Sequence, residues 1–516
     1  MKKKCILILT IVVLLSIFLS SAVAEINLSS LTYKELLMLR DQLSKELMTR
    51  PEWKEVTVPA GDWIVGKDIP AGVYSIIIPK GGSNNVDRLV TSAAGVYVDG
   101  TNGNDNNAGT YSYPVKTIEK ALAMSNDIRI FSGTYLLADG VLNASRRDYR
   151  ISAVHTNKVA LKFGHSIAVT KNNSTGFYES GTISFDATTY QNYPLYNDGV
   201  PDPATEILAE EIHPAQQGHV YRLESTRYRQ YESASDLANV TRGYYYDGTK
   251  FVIKSDQTLT ELWMPSFSYI NLAYSFNEFV GVDVLYSSIQ VEKGDLNMTD
   301  CRVLFPSSPI PGGVCYYASR LNFLRVEVAG EECSNSENSE NTGDGICGLS
   351  MHKDYMRNEL TATLIDCWLH DSQDDGFSDH GQGSNTVIGG LFEYNRKSGA
   401  MPASGVNTLM IGVTARHQRH GLSSVNSMMY GNADDAWMGM WLIDCICENN
   451  EYNFSIQNGF STVVCQNCVS RNASEVGYYK TSGASTSKFV LYNCYSDGDT
   501  TIKSDGVSVR NGTLVQ

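Results

Sequence analysis

The feature that most restricts what this chain can fold into is a repeat in its C-terminal half. The segments LIDCWLHDSQDDGF, VIGGLFEYNRKSGA, MIGVTARHQRHGLS and QNCVSRNASEVGY each carry a small residue followed nine positions later by glycine: Cys367/Gly376, Gly390/Gly399, Gly412/Gly421 and Cys468/Gly477. The reference positions advance by 23 and 22 residues, then by 33 to Cys445, 23 to Cys468 and 26 to Cys494. A period in the low twenties is that of a solenoid coil of three short strands, which buries its apolar side only by stacking on its neighbours. The long step predicts an insertion in one coil's turn. With 43 Gly, 30 Tyr and 19% charged residues, the composition is that of a turn-rich all-β chain.

The same register accounts for the cysteines. Of 11, Cys5 stands alone near the N-terminus and the other ten lie between Cys301 and Cys494. Cys301, Cys367, Cys445, Cys468 and Cys494 each follow Asp or Asn (TDC, IDC, IDC, QNC, YNC), which predicts one inward position stacked along the axis. Coils about 4.8 Å apart are within disulfide reach, so a bridge such as Cys445 to Cys468 is allowed. The preferred reading is a ladder of small apolar thiols. A ladder supplies parallel side chains, not the convergent ones that a metal needs.

The N-terminal part reads differently. Lys2 to Lys4 precede an apolar run from Ile6 to Leu19 and then SSAVA, the pattern of a signal peptide over 1–24. The expectation is a secreted or surface-associated protein of bacterial type with no membrane span. Residues 25–90 combine an amphipathic helix over LTYKELLMLRDQLSKELM (Leu31 to Met48) with an alternating stretch, Val56 to Gly82, read as a small β accessory module. Residues 91–516 form the solenoid, with a capping segment over 93–125, irregular coils over 143–278 and regular coils from about 295.

The capping segment, AAGVYVDGTNGNDNNAGTYSYPVKTIEKALAM, places a strand at Val96 to Val98, a Gly/Asn/Asp loop and a helix from Ile118 to Met124. It resembles the opening of pectin-lyase-like β-helix proteins. That resemblance implies a right-handed parallel β-helix whose first coil is covered, because an open edge would pair with another chain. The fold class expected is therefore all-β, a right-handed parallel β-helix with an N-terminal helix and small β module.

Charge narrows the partners. Acidic residues number 56 against 41 Lys and Arg, a formal net charge of −15. Signal cleavage removes three lysines and makes the balance more acidic still. Such a surface argues against nucleic acid as partner, since phosphate binding needs a basic face. An extracellular polysaccharide remains open to it.

In register, Asp374, Lys397 and Arg419 share one coil position, and Asp375, Ser398 and His420 the next. Asp379, His380 and His417 fall close by, and with His370 this window holds four of the nine histidines. Each residue alone is ordinary turn chemistry. As a set on adjacent coils, acids, imidazoles, Lys and Arg are read as a site. Trp437, with Asp434 and Asp435 in the inserted loop, could wall the groove and stack on a sugar ring.

The string Gly376-Phe377-Ser378-Asp379-His380, followed by Arg419-His420-Gly421, resembles the G-F-D-P-H … R-H-G arrangement of β-helical mannuronan epimerases and related alginate-active enzymes. The resemblance implies that His380 and His420 take part in catalysis. It departs where Asp375 replaces that family's Tyr, Ser378 its Asp and Asp379 its Pro. The chemistry expected on this basis is lyase or epimerase action on a uronic-acid glycan by carbon-5 proton abstraction. His380 or His420 would be the base, Lys397 and Arg419 would neutralise the sugar carboxylate, and Asp375 and Asp379 would orient the imidazoles. Asp374, His417 and Trp437 would bind substrate, and Asp374, Asp375 and Asp379 could instead hold Ca²⁺. Two alternatives stand beside this reading: glycoside hydrolysis by paired Asp, and a non-catalytic adhesin-like β-helix that binds a glycan with the same groove.

Overall fold

The computed structural model describes residues 95–137, 141–142, 148–155, 159–183, 195–197, 227–265, 269–306, 312–329, 343–349, 360–381, 383–403, 406–425, 438–458, 461–481, 487–497 and 512–514. All belong to the larger of two compact units, Val73–Gln516. The signal segment, the 25–90 module and Trp437 lie outside the described residues.

The described chain is a parallel β-helix. Successive coils contribute one strand to each of three sheets. The first sheet has twelve strands, from Val96–Val98 to Lys488–Tyr492, all paired in parallel, and the third has nine, from Ile270–Ala273 to Val476–Lys480. The second runs through Val282–Leu285, Trp368–His370 and Thr414–Arg416 to Cys494–Ser496. One continuous apolar core fills the interior, from Val96 at one end to Cys494 at the other.

Helix α1, Ile118–Met124, covers the first coil, packing Ile118, Ala121 and Leu122 into that core. Its N-cap Thr117 accepts from the Lys120 amide, and Asp105 in the Gly/Asn loop accepts from the Lys116 and Thr117 amides, so the loop is tied to the helix start.

The Asp/Asn-Cys motif is a corner. Asp300, Asp366, Asp444, Asn467 and Asn493 have φ between 49° and 54°, the left-handed region that Asp, Asn and Gly enter most readily. Their amides and carboxylates also stack: Asn467 Nδ2 donates to Asp444 Oδ1 at 3.0 Å and Asn493 Nδ2 to Asn467 Oδ1 at 2.9 Å. The following residue turns inward. Strand register aligns Cys301, Val326, Cys367, Gly390, Val413, Cys445, Cys468 and Cys494 in one ladder. The nine described cysteines are buried and none is joined in a disulfide.

One expectation needs correction. The ladder position on the third repeat is Val413, not Gly412; Gly412 holds the left-handed corner (φ 66°) at the same spacing as Gly389 and Asp366, and the one-residue shortening lies between that corner and Gly421. The described residues of 143–278 combine coil strands with one long excursion. The first sheet passes directly from Arg150–Ala153 to Phe276–Val280. Between them Val159–Lys171 leaves the second sheet and pairs antiparallel with Tyr178–Ser180 and Glu261–Pro265, building an outgrowth with its own core of Ile167, Val169, Tyr228, Tyr244 and Ile253.

Candidate functional site

The second recurring glycine explains how the site is assembled. A Cβ on Gly376 would lie 2.7 Å from the carbonyl oxygen of Gly399, and one on Gly399 would lie 2.8 Å from that of Gly421. Neighbouring coils approach closely here, and only glycine permits it. The residue before each glycine then falls into a row on the third sheet: Asp344, Asp375, Ser398, His420 and Tyr452.

Asp344, Asp374 and Asp375 meet at the head of this row. All three are buried, and a carboxylate oxygen of each lies within 4.8 Å of the others. Adjacent residues can converge because Asp374 precedes the strand that starts at Phe377. Asp374 is paired with Lys397, whose Nζ lies 3.0 Å from Oδ1. Asp375 is fully enclosed and neither carboxylate oxygen has a hydrogen-bond partner, although its backbone amide donates to Asp344 Oδ1 at 3.2 Å. Burial pushes the Asp375 carboxyl well above the usual carboxylate range, and Asp374 and Asp344 act in the same direction. Burial raises Asp374 too, with Lys397 pulling it back.

Along the strand from Asp375, side chains divide between two faces. Phe377 joins the interior core. Ser378 and His380 share the outer face, Ser378 Oγ lying 2.8 Å from His380 Nε2, while His380 Nδ1 is buried without a partner. Further along the row, His420 Nδ1 lies 3.1 Å from Ser455 Oγ and the ring stacks on Tyr452 at 5.0 Å, which stacks in turn on Tyr479 at 4.3 Å. Ser455 Oγ and Gln457 Nε2 both donate to Ser423 Oγ, so hydroxyls and amides line the face. Burial pushes both His380 and His420 down to about 4, Arg419 adding to the effect at His420, so both imidazoles are neutral at pH 7.

Several residues grouped by sequence separate in three dimensions. Asp379 faces the interior, accepting from Tyr316 Oη at 2.7 Å and Asn385 Nδ2 at 2.8 Å. The alternation of a strand forbids it from sharing a face with His380. It therefore leaves both the catalytic patch and the expected calcium set. His417 occupies a left-handed corner (φ 58°), exposed and stacked on Tyr394 at 4.8 Å, in a ladder with other corner residues. Arg419 is exposed and paired with Glu451 at 3.4 Å. His370 belongs to the second sheet, bonded to Asp371 and Glu327 and stacked on Trp368 at 3.6 Å.

Asp344 was missed, although its signal was present. Asp344-Gly345 repeats the pattern of Asp375-Gly376, Ser398-Gly399 and His420-Gly421, and the 31-residue step to Asp375 hid it from a search at a period near 23.

No known family profile matches the sequence, and no curated protein matches it. Solved structures are matched at low identity. A complex of XylC with xylose is 10% identical, covering 78% of this chain and 69% of that one with a TM-score of 0.43. A glycoside hydrolase is 10% identical over 78% of this chain and 96% of its own, TM-score 0.45. A rhamnogalacturonan lyase is 14% identical over 80% and 91%, TM-score 0.28. At such identities and TM-scores, the chemistry has to be read from this chain's own residues.

Proposed function

We propose that the protein is a carbohydrate-active enzyme that hydrolyses glycosidic bonds in an extracellular polysaccharide laid across the coils of the third sheet. The observation that carries this reading is the meeting of Asp344, Asp374 and Asp375, with Asp375 enclosed and without a partner for either carboxylate oxygen. Glycoside hydrolysis needs two carboxyl groups in different states. Asp375, whose charge is disfavoured by burial and by Asp374 and Asp344 more than Ser398 and Lys397 favour it, holds the proton and passes it to the glycosidic oxygen as the C–O bond breaks. Asp374, whose charge Lys397 stabilises, lies too close to Asp375 to leave room for a water and so attacks the anomeric carbon itself as the leaving oxygen takes the proton, and the resulting glycosyl ester is hydrolysed by a water that gives its proton to Asp375. The neutral His420, the serine hydroxyls and Gln457 offer hydrogen bonds to sugar hydroxyls further along the face.

Proton abstraction from a uronate has less support. It requires a cation for the sugar carboxylate, yet Lys397 is held by Asp374 and Arg419 by Glu451. The outer residue next to His380 is Ser378, while the aspartate of the epimerase-like string turns inward. A calcium ion at Asp344, Asp374 and Asp375 would have to displace Lys397.

The test is incubation with neutral glycans and uronates while following reducing ends and the absorbance of unsaturated products. New reducing ends without that absorbance are expected, with kcat/KM falling roughly 10²–10⁴-fold in Asp375→Asn. Unsaturated products, or an Asp375→Asn enzyme of unchanged activity, would overturn the assignment.

A further inference from the structure

Next to the paired carboxylates, on the same outer face, lies a set of donors that hydrolysis does not use. Asp344, Cys347 and His380 come from two adjacent coils, and one donor atom of each lies within 4.8 Å of the others. Cys315 stands one coil before Cys347, directly opposite it in the parallel register. Both thiols are buried, in a small apolar cluster with Leu349 that is separate from the solenoid core. Gly312 keeps the space beside them open, since a Cβ there would come within 2.9 Å of Cys347 Cβ and 3.1 Å of Cys315 Sγ. His380 is oriented as a ligand would be: Nε2 is held by Ser378 Oγ at 2.8 Å, and the other ring nitrogen, Nδ1, is buried without a partner.

We propose that Asp344, Cys347 and His380, with Cys315 as the fourth donor, form a binding site for a thiophilic divalent cation of the zinc type. The mixed sulfur, nitrogen and oxygen set selects the ion. Zinc takes four such donors tetrahedrally, whereas calcium requires six to eight oxygens and magnesium an octahedral oxygen shell. Asp344, Cys347 and His380 differ from the inward cysteine ladder because their donor atoms converge within 4.8 Å of one another from adjacent coils, with Cys315 next to Cys347 in the neighbouring strand. Binding at Cys347 replaces the thiol S–H bond by a sulfur–metal bond and releases one proton for each thiol engaged. The ion would tie the coil of Asp344 to that of His380 beside the carboxylate pair.

The competing chemistry is a disulfide between Cys315 and Cys347, whose strands are neighbours within bridging range. The full chain, loaded with Zn²⁺ and freed of excess by gel filtration, is expected to retain about one equivalent. Loaded with Co²⁺, it should show the near-ultraviolet band of thiolate-to-cobalt charge transfer. Cys347→Ser and His380→Ala should each reduce retention at least tenfold, while Cys301→Ala, in the core ladder, retains the ion. Asp374→Asn separates this site from the proposed hydrolase, because it should lose activity and keep the metal. Retention by wild type no greater than by Cys347→Ser, a cobalt spectrum without the thiolate band, or a Cys315–Cys347 disulfide in mass spectra of the purified chain would overturn the proposal.

Discussion

His370 shares a sequence window with His380, His417 and His420, and its surroundings in the second sheet give it a separate and measurable role. The ring is buried, with Nδ1 2.7 Å from Asp371 Oδ2 and Nε2 3.2 Å from Glu327 Oε1, and it stacks on Trp368. Burial pulls its pKa down, but the hydrogen bonds and charges of Asp371 and Glu327 outweigh burial and raise it from 6.5 to about 9. A raised histidine stabilises the fold fully below its unfolded pKa, and that contribution disappears as pH rises through the folded value. The window is therefore 6.5 to 9, and at about 1.4 kcal/mol per pKa unit the loss across it is about 3 kcal/mol. Urea unfolding at a series of pH values, for wild type and His370→Gln, reads this directly. Wild type should lose about 3 kcal/mol more than the variant between pH 6.5 and 9, while hydrolytic activity stays within about twofold because the side chain lies on a different sheet. Parallel pH profiles for the two proteins would refute the ion-pair reasoning, and a loss of kcat at constant stability would place His370 in the catalytic set.

Two further outcomes follow from the coil geometry. Asp379 is buried, and burial pushes its carboxyl up to about 6 against the pull of Asn385 and Tyr316. Its ionised form therefore weakens the fold as pH rises from about 4 to 6, and Asp379→Asn should flatten that part of the stability profile, a difference of about 3 kcal/mol in urea unfolding. Asn467 holds φ 53° and bridges Asp444 and Asn493. Asn467→Val should cost about 2 kcal/mol or more and Asn467→Gly distinctly less, measured by the same unfolding midpoints.

Much of the site was legible because coil register converts spacing into neighbourhood. Asp374, Asp375, Lys397, Ser398 and His420 were grouped by counting from the corner residues, and the structure brings them together on one face. Counting failed in two ways. It does not say which side of a strand a residue takes, so Asp379 was grouped with His380 although a one-residue step reverses the side chain. It also assumes a constant period, and the 31-residue step to Asp375 concealed Asp344 and with it the third carboxylate.

By itself, the sequence determined the solenoid. Glycines where coils nearly touch, Asp or Asn where the backbone is left-handed and a small residue just inside are local demands of one coil, repeated because every coil has the same neighbours. Only the tertiary structure decided the chemistry. Whether a carboxyl keeps its proton depends on what surrounds it from other coils. Asp375 and Asp379 lie four positions apart and burial raises both, but one faces the carboxyls of Asp344 and Asp374, which raise it further, while the other is held inside the coil by Tyr316 and Asn385, which pull it back.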